Sequence, residues 1–224
     1  MDVLIACEES QEVCKAFRAI GHRAFSCDMQ ECSGGHPEWH IQGDVLPLIN
    51  GNCTFTTMDG RKHKQFGQWD LIIAHPPCTH LTCSGQWAYN KGKDLHLRDE
   101  AIKFFMCFAN AKCDRIAIEN PIGIMSSVWR KPDQIISPWM FGDKAEKRTC
   151  LWLKGLGNLV PTETEKPEFE YFEWIDSKTG RKKRMEMWMY KIRCISDKKQ
   201  RAKEASKTFP GIAQAMAEQW GKLA

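Results

Sequence analysis

The chain has 224 residues, 42% apolar and 27% charged, which suits one domain or a domain with a small appendage around a real hydrophobic core. No apolar run approaches the ~18–20 residues that cross a bilayer, and the opening MDVLIACEES, with two glutamates and no basic stretch, predicts no secretory leader. Eleven cysteines, an odd number at scattered spacings, argue against a secreted disulfide framework and predict a reduced cytoplasmic protein. The net charge of +4 hides an asymmetry: residues 178–207 carry twelve Lys or Arg against three acids, a local +9 that leaves the remaining chain at −5. Such a block is either a polyanion-binding surface or the solvated face of a hairpin and helix.

In chain order, VLIAC (3–7) predicts a buried strand. Ser10 is placed to cap a helix that puts Val13, Ala16, Phe17 and Ile20 on one face, with Gly21 as its stop. Residues 23–27 predict a second strand ending at Asp28, followed by the Gly- and His-rich loop ECSGGHPEWH and by Gly43-Asp44. Residues 53–68 predict a polar hairpin around Asp59-Gly60. WDLIIAHPPC predicts an apolar strand stopped by Pro76-Pro77, residues 98–111 a helix, RIAIENP (115–121) a strand ended by proline, and TCLWLK (149–154) another strand. Alternating strands and helices predict an α/β domain with a largely parallel sheet, in which ligands gather at the carboxyl ends of strands. Asp28, Pro76–Cys78 and Glu119 fall at such ends.

Residues 154–207 break the rhythm. EFEYFEWI and KRMEMWMYKI flank DSKTGRK and predict a long hairpin over 168–193, in which Glu168, Glu170 and Glu173 are placed to pair with Arg181–Arg184. The final helix runs from Phe209 to Trp220, with Ile212, Ala213, Met216 and Trp220 on the face that packs on the sheet. The expected organisation is a core over 1–153, a small basic recognition region over 154–207, and a C-terminal helix over 208–224 packing back on the core.

Three strand ends carry the chemistry. The prolines stiffen the loop that holds Cys78; Glu119 ends a neighbouring strand; Arg148 opens the strand RTCLWL. A thiol, a carboxylate and a guanidinium at one sheet edge suit covalent attack on a polarised heterocycle.

PPCTHLTCSG (76–85) resembles the PPCQ-x-FS-x-AG signature of the cytosine carbon-5 DNA methyltransferases, with Leu81 for Phe, Thr82 for Ser and Ser84 for Ala. Glu119-Asn120-Pro121 resembles that family's ENV motif, and KRT (147–149) is similar to a reduced Q-x-R-x-R motif. FPGIAQAMAEQW loosely resembles the C-terminal motif that closes the family's cofactor pocket, and the whole chain resembles the short stand-alone members often encoded by bacteriophages. The resemblance implies a Rossmann-like S-adenosylmethionine-dependent methyltransferase fold of the α/β class, with a small β-hairpin insertion in place of a large target-recognition domain.

The resemblance also implies a mechanism. Cys78 adds to carbon-6 of cytosine, Glu119 holds ring N3 and the exocyclic amine, and Arg148 contacts the ring carbonyl, on a base flipped out or already single-stranded. For S-adenosylmethionine it implies Asp28 at the ribose hydroxyls with Met29 against the adenine, Asp44 and Val45 reading the adenine amine and face, and Pro77 lining the same pocket. The family's FAGxGG loop is here Ile5-Ala6-Cys7-Glu8-Glu9-Ser10, without glycine. Ala6, Cys7 and Ser10 are its cofactor candidates, the helix after Ser10 offering backbone N–H groups to the methionine carboxylate, or Glu8 or Glu9 instead holding the ammonium.

DNA is the expected partner, contacted by Trp174, Arg181, Lys182, Lys183, Arg184 and Trp188: basic groups on phosphates, aromatics stacking or wedging at the vacated base. A free pyrimidine nucleotide or single-stranded nucleic acid is the alternative substrate, and a decayed, non-catalytic DNA- or protein-binding module the alternative class. Cys27, Cys32, His36 and His40 have C-x4-C-x3-H-x3-H spacing similar to a zinc set. Cys27 lies on a predicted buried strand and His36-Pro37 constrains the loop, so no metal is expected. The loop is assigned instead to covering the cofactor or contacting substrate.

Overall fold

Strand β1 (Asp2–Ala6) is apolar after Asp2, and Val3 through Ala6 are fully buried. A strand covered on both faces belongs in the middle of a parallel sheet. In a computed structural model, which describes residues 1–83, 89 and 95–222, β1 sits between β2 (Arg23–Asp28) and β6 (Leu71–Ala74), parallel to both. Beyond β2 lies β3 (His40–Gln42), and beyond β6 lies β7 (Ile116–Pro121), both again parallel. The sheet closes with β9 (Thr149–Lys154), antiparallel to β7, and edge strand β8 (Gln134–Ile136), giving the order β3-β2-β1-β6-β7-β9-β8. The fold is α/β with a mostly parallel central sheet, compatible with a Rossmann-like fold.

Strand alternation divides the core into two layers. Leu4, Ala6, Ile72 and Ala74 face one way, against Phe105 and Phe108 of helix α2 (Leu95–Ala109). Val3, Ile5, Leu71 and Ile73 face the other, against Val13 and Phe17 of α1 (Glu12–Ala19) and Met216 and Trp220 of α6 (Pro210–Trp220). The final helix thus packs on the sheet through the expected face. Phe105 meets Trp152 of β9 edge-on at 5.2 Å, anchoring α2 over the reversed strand. The Asp59-Gly60 hairpin forms as expected from β4 (Cys53–Thr56) and β5 (Lys62–Gln65).

Two local expectations change. Ser10 does not cap α1: the N-cap is Gln11, in left-handed backbone at φ 60°, and the Glu8 carboxylate accepts the Val13 and Cys14 amides at 2.6 and 3.2 Å. KRMEMWMYKI does not form one strand. It divides into β11 (Lys182–Glu186), paired with β10 (Tyr171–Ile175), and helix α4 (Met187–Arg193). The helical turn swings Tyr190 back to stack on Phe172 at 3.7 Å, a contact a continued strand would forfeit. Helix α5 (Lys198–Ser206), capped by Asp197, leads from there into α6. A short helix α3 (Met125–Val128) follows β7. Among the described residues no helix is long and apolar enough to cross a membrane.

Candidate active site

The direction in which successive strands are added reverses at β1, so the carboxyl ends of β1 and β6 stand at the switch point, the place where open α/β sheets have their ligand-binding crevice. Four segments meet there: the loop after β1, His75-Pro76-Pro77-Cys78 after β6, the end of β7, and the residues just before β9. Antiparallel β9 begins where its parallel neighbours end, which brings residues 147–149 to this edge.

The Cys78 loop is held by its neighbours. Asn120 donates from its buried side chain to the Pro76 carbonyl at 2.7 Å. The Cys78 carbonyl accepts from the Leu81 and Thr82 amides, and Thr82 bridges Gly123 beyond β7. Ile124 N–H then bonds the Leu81 carbonyl at 2.8 Å, so the loops carrying the thiol and the carboxylate are tied together. The Ser84-Gly85 end of the expected motif lies outside the described residues.

Glu119 is largely buried beside His75, whose Nδ1 lies 3.1 Å from Glu119 Oε2, with the Thr149 side chain nearby. Burial alone would raise the Glu119 pKa. The His75 hydrogen bond and charge, with Lys147, outweigh it and leave the carboxyl below its ordinary range. Cys78 is half-buried in the same field: burial and the Glu119 charge push its thiol up, and the Lys147 ammonium pulls the other way. Arg148 stands apart. It is exposed, and its charge acts on Cys150. Lys147 and Thr149 act on Glu119, whereas Arg148, between them in the chain, acts on Cys150.

On the other side of the crevice the first loop turns sharply, with Cys7 in left-handed backbone at φ 59°. Ala6 and Ser10 are buried, and Glu8 fills the amino end of α1. Glu9 is buried too: its Oε2 pairs with Lys203 of α5 at 3.2 Å and accepts the Ser33 hydroxyl, while Oε1 has no hydrogen-bond partner among the described residues. Asp28 and Asp44 lie close enough to Cys7 that, after burial, their charges raise its thiol pKa. Asp28 accepts the Gln30 amide at 2.8 Å, and Asp44 the Leu46 amide at 3.0 Å. Val45 is buried beside them, and Met29 and Pro77 are exposed.

The Cys27–His40 set is dispersed. His40 is buried, with Nδ1 on the Ser26 hydroxyl and Nε2 on the Gln30 carbonyl. His36 pairs with Glu38 and stacks on Trp39 at 3.7 Å, and Cys27 Sγ points to the Gly43 carbonyl. Gly34 packs so tightly on Ser10 and Gln11 that a Cβ there would meet the Ser10 carbonyl oxygen at 2.5 Å. This loop therefore closes over the first loop. Among the described residues no group of three or more His, Cys, Asp and Glu is placed to hold a metal ion.

In the basic region Arg181, Lys182, Lys183 and Arg184 are all exposed. Lys182 pairs with Glu173 across the strands at 2.6 Å, Lys183 pairs with Asp176, and the Arg184 guanidinium lies 4.5 Å from the centre of the Tyr171 ring. Trp174 stacks on Phe172 at 5.9 Å. Trp188 instead faces the core: it meets Phe209 edge-on and donates to Glu186, which also accepts the Glu146 amide. Lys147 donates to the Ala205 carbonyl at 2.9 Å, so α5 touches both sides of the crevice, through Lys147 and through Glu9.

His75, Lys147 and Thr149 were not among the residues expected from sequence. His75 directly precedes the proline pair, and the K-x-T alternation of KRT (147–149), whose Thr149 opens TCLWLK, is the pattern that would have singled out the other two. No family model matches the chain, and no curated protein is found to be similar to it.

Proposed function

We propose that this chain is an S-adenosylmethionine-dependent methyltransferase acting at carbon-5 of cytosine in DNA. The observation that carries the reading is the convergence of Cys78 and Glu119 in one electrostatic field at the carboxyl edge of the sheet, with the switch-point crevice beside them. A structural thiol needs no stiffened proline loop, no neighbouring buried carboxylate and no opposing ammonium. A thiol that adds to a cytosine ring uses all three: the loop to aim it, the carboxylate to hold N3 and the ammonium to favour the thiolate.

The residues present fit the cofactor. Asp28 and Asp44, both near Cys7, would accept from sugar hydroxyls and an adenine amine, and Val45 beside them would supply an apolar face. The unpartnered Glu9 Oε1 suits an ammonium group. The α1 amides are already taken by Glu8, so the methionine carboxylate is not held there. When bound, S-adenosylmethionine supplies an electrophilic methyl group.

The protein's own work is on the base. Cys78 bonds to carbon-6 and the ring electrons shift to carbon-5, which becomes nucleophilic. Glu119 holds N3 and the exocyclic amine and stabilises the charge that develops there. Lys147 opposes the two features that disfavour the thiolate, and in this reading takes the place first assigned to Arg148. The exposed basic strand β11 holds phosphates, and Trp174 offers a stacking face.

Mass spectrometry after incubation with S-adenosylmethionine and a 5-fluorocytosine oligonucleotide tests this. Fluorine at carbon-5 blocks the final elimination, so the expected result is a covalent protein–DNA adduct that disappears in Cys78→Ser. Turnover of dCMP without an oligonucleotide adduct would move the substrate to a free nucleotide. No adduct with no cofactor binding would favour a binding module.

A further inference from the structure

We propose that His75 is a positioning residue that stores, in its hydrogen bond to Glu119, the proton that Glu119 delivers to ring N3 when Cys78 adds to carbon-6. The inference rests on the methyl-transfer reading above and extends it to the source of the proton.

The geometry is specific. The His75 backbone N–H bonds the Ala6 carbonyl at 2.9 Å, fixing the residue at the junction of the β1 and β6 ends. Its Nδ1 faces Glu119 Oε2 at 3.1 Å, with the two side chains 11% and 17% exposed. Its Nε2 is buried and has no hydrogen-bond partner among the described residues.

The charged groups facing His75 come from three directions. Glu119 approaches from β7 and Glu8 from the loop after β1, both favouring the imidazolium; Lys147, from just before β9, disfavours it. Burial, the largest influence, would lower the imidazole pKa, yet the two carboxylates more than compensate and the pKa stands above its ordinary value. The two carboxylates thus favour a transferable proton on the pair, which an isolated carboxylate would not hold at neutral pH.

The proton balance is closed. Cys78 enters as thiolate, its proton having gone to water. As sulfur bonds to carbon-6, N3 takes a proton from Glu119, and Glu119 is replenished by the Nδ1 proton of His75. His75 is then neutral and Glu119 a carboxylate. When the carbon-5 proton is lost to water and elimination expels the Cys78 thiolate, N3 returns its proton by the same route.

The test is the pH profile of single-turnover adduct formation on the 5-fluorocytosine oligonucleotide, comparing wild type with His75→Asn. Asparagine keeps a hydrogen-bond donor toward Glu119 but cannot store a proton. The wild-type rate should exceed the variant's by about tenfold or more near pH 7.5, and that ratio should shrink on acidification toward about pH 5.5, because loss of the thiolate slows both proteins alike. A purely structural loss would lower the rate equally at every pH, and that outcome overturns the inference.

A nitrogen-15 titration of the imidazoles in the full chain gives a second readout that needs no substrate. His75 should stay doubly protonated to a pH above the ordinary ~6.5, and should lose that shift in Glu119→Gln. Titration of His75 at or below the ordinary value also overturns the inference. Wild type that forms no adduct at any pH overturns the methyl-transfer reading itself, while the imidazole titration still decides whether the pair holds the proton.

Discussion

A carboxylate that is 4% exposed must be satisfied where it lies, and Glu8 is satisfied by the first turn of α1. It does what the expected Ser10 cap would have done, with a charge instead of a hydroxyl. Burial pushes its pKa from 4.5 up to about 6, against the charge of His75 and the Val13 and Cys14 amides. A carboxyl raised in this way binds its proton more tightly in the folded chain. The associated stability is complete below about pH 4.5 and is lost as pH rises through about 6. The shift is worth about 2 kcal/mol. Glu8→Gln should therefore flatten the fall in stability between about pH 4.5 and 7 by about that amount. Urea unfolding at a series of pH values measures it, and parallel curves for the two proteins would refute the assignment.

At the scale of elements, the candidate site depends on two loops tied to each other rather than on either strand alone. Gly123 marks their closest approach: a Cβ there would stand 2.1 Å from the Leu81 carbonyl oxygen and 2.9 Å from its carbon, both backbone atoms. Gly123→Ala must push the segment after Cys78 away from the segment after Glu119. A displacement near 1 Å at a reacting pair costs on the order of 100-fold in rate. Adduct formation should fall by about that factor, with the thermal melt still cooperative because the sheet beneath is untouched. An alanine variant that reacts at the wild-type rate would show that the loops do not set the distance. This loop-to-loop tie was not legible in the sequence. PPC and ENP each ended a predicted strand, but register between segments some forty residues apart is decided by pairing, which composition does not encode.

At the scale of the whole molecule, the charge asymmetry acquires a place. The segment 178–207 carries its +9 on an exposed strand and on two helices, and it is joined to the crevice through Glu186, Lys147 and Lys203. Cross-strand pairing with Glu173 and Asp176 engages Lys182 and Lys183, which leaves Arg181 and Arg184 as the residues for a reversal experiment. Arg181→Glu with Arg184→Glu should weaken DNA binding and reduce the slope of log K against log salt by about 2, near 0.9 per lost phosphate contact. Fluorescence anisotropy across a salt series measures both quantities, and an unchanged slope would remove the hairpin from the interface.

Chain-local physics made much of this protein readable from sequence. Apolar runs such as VLIAC and LIIA, prolines that stop strands, and the periodic face of the final helix depend on residues adjacent along the chain; the strands they predicted are in the sheet, and the final helix packs on it. Cys78 and Glu119 stood out because each ends such a run. Tertiary structure decided what proximity across the chain decides. It chose Glu8 over Ser10 as the cap, turned Lys147 and not Arg148 toward the thiol, and bent 187–193 into a helix so that Tyr190 could reach Phe172. It also set His75 against Glu119, residues 44 apart, because parallel pairing of β6 with β7 brings their carboxyl ends together. No local pattern specifies that pairing; it follows from burying both faces of one sheet at once.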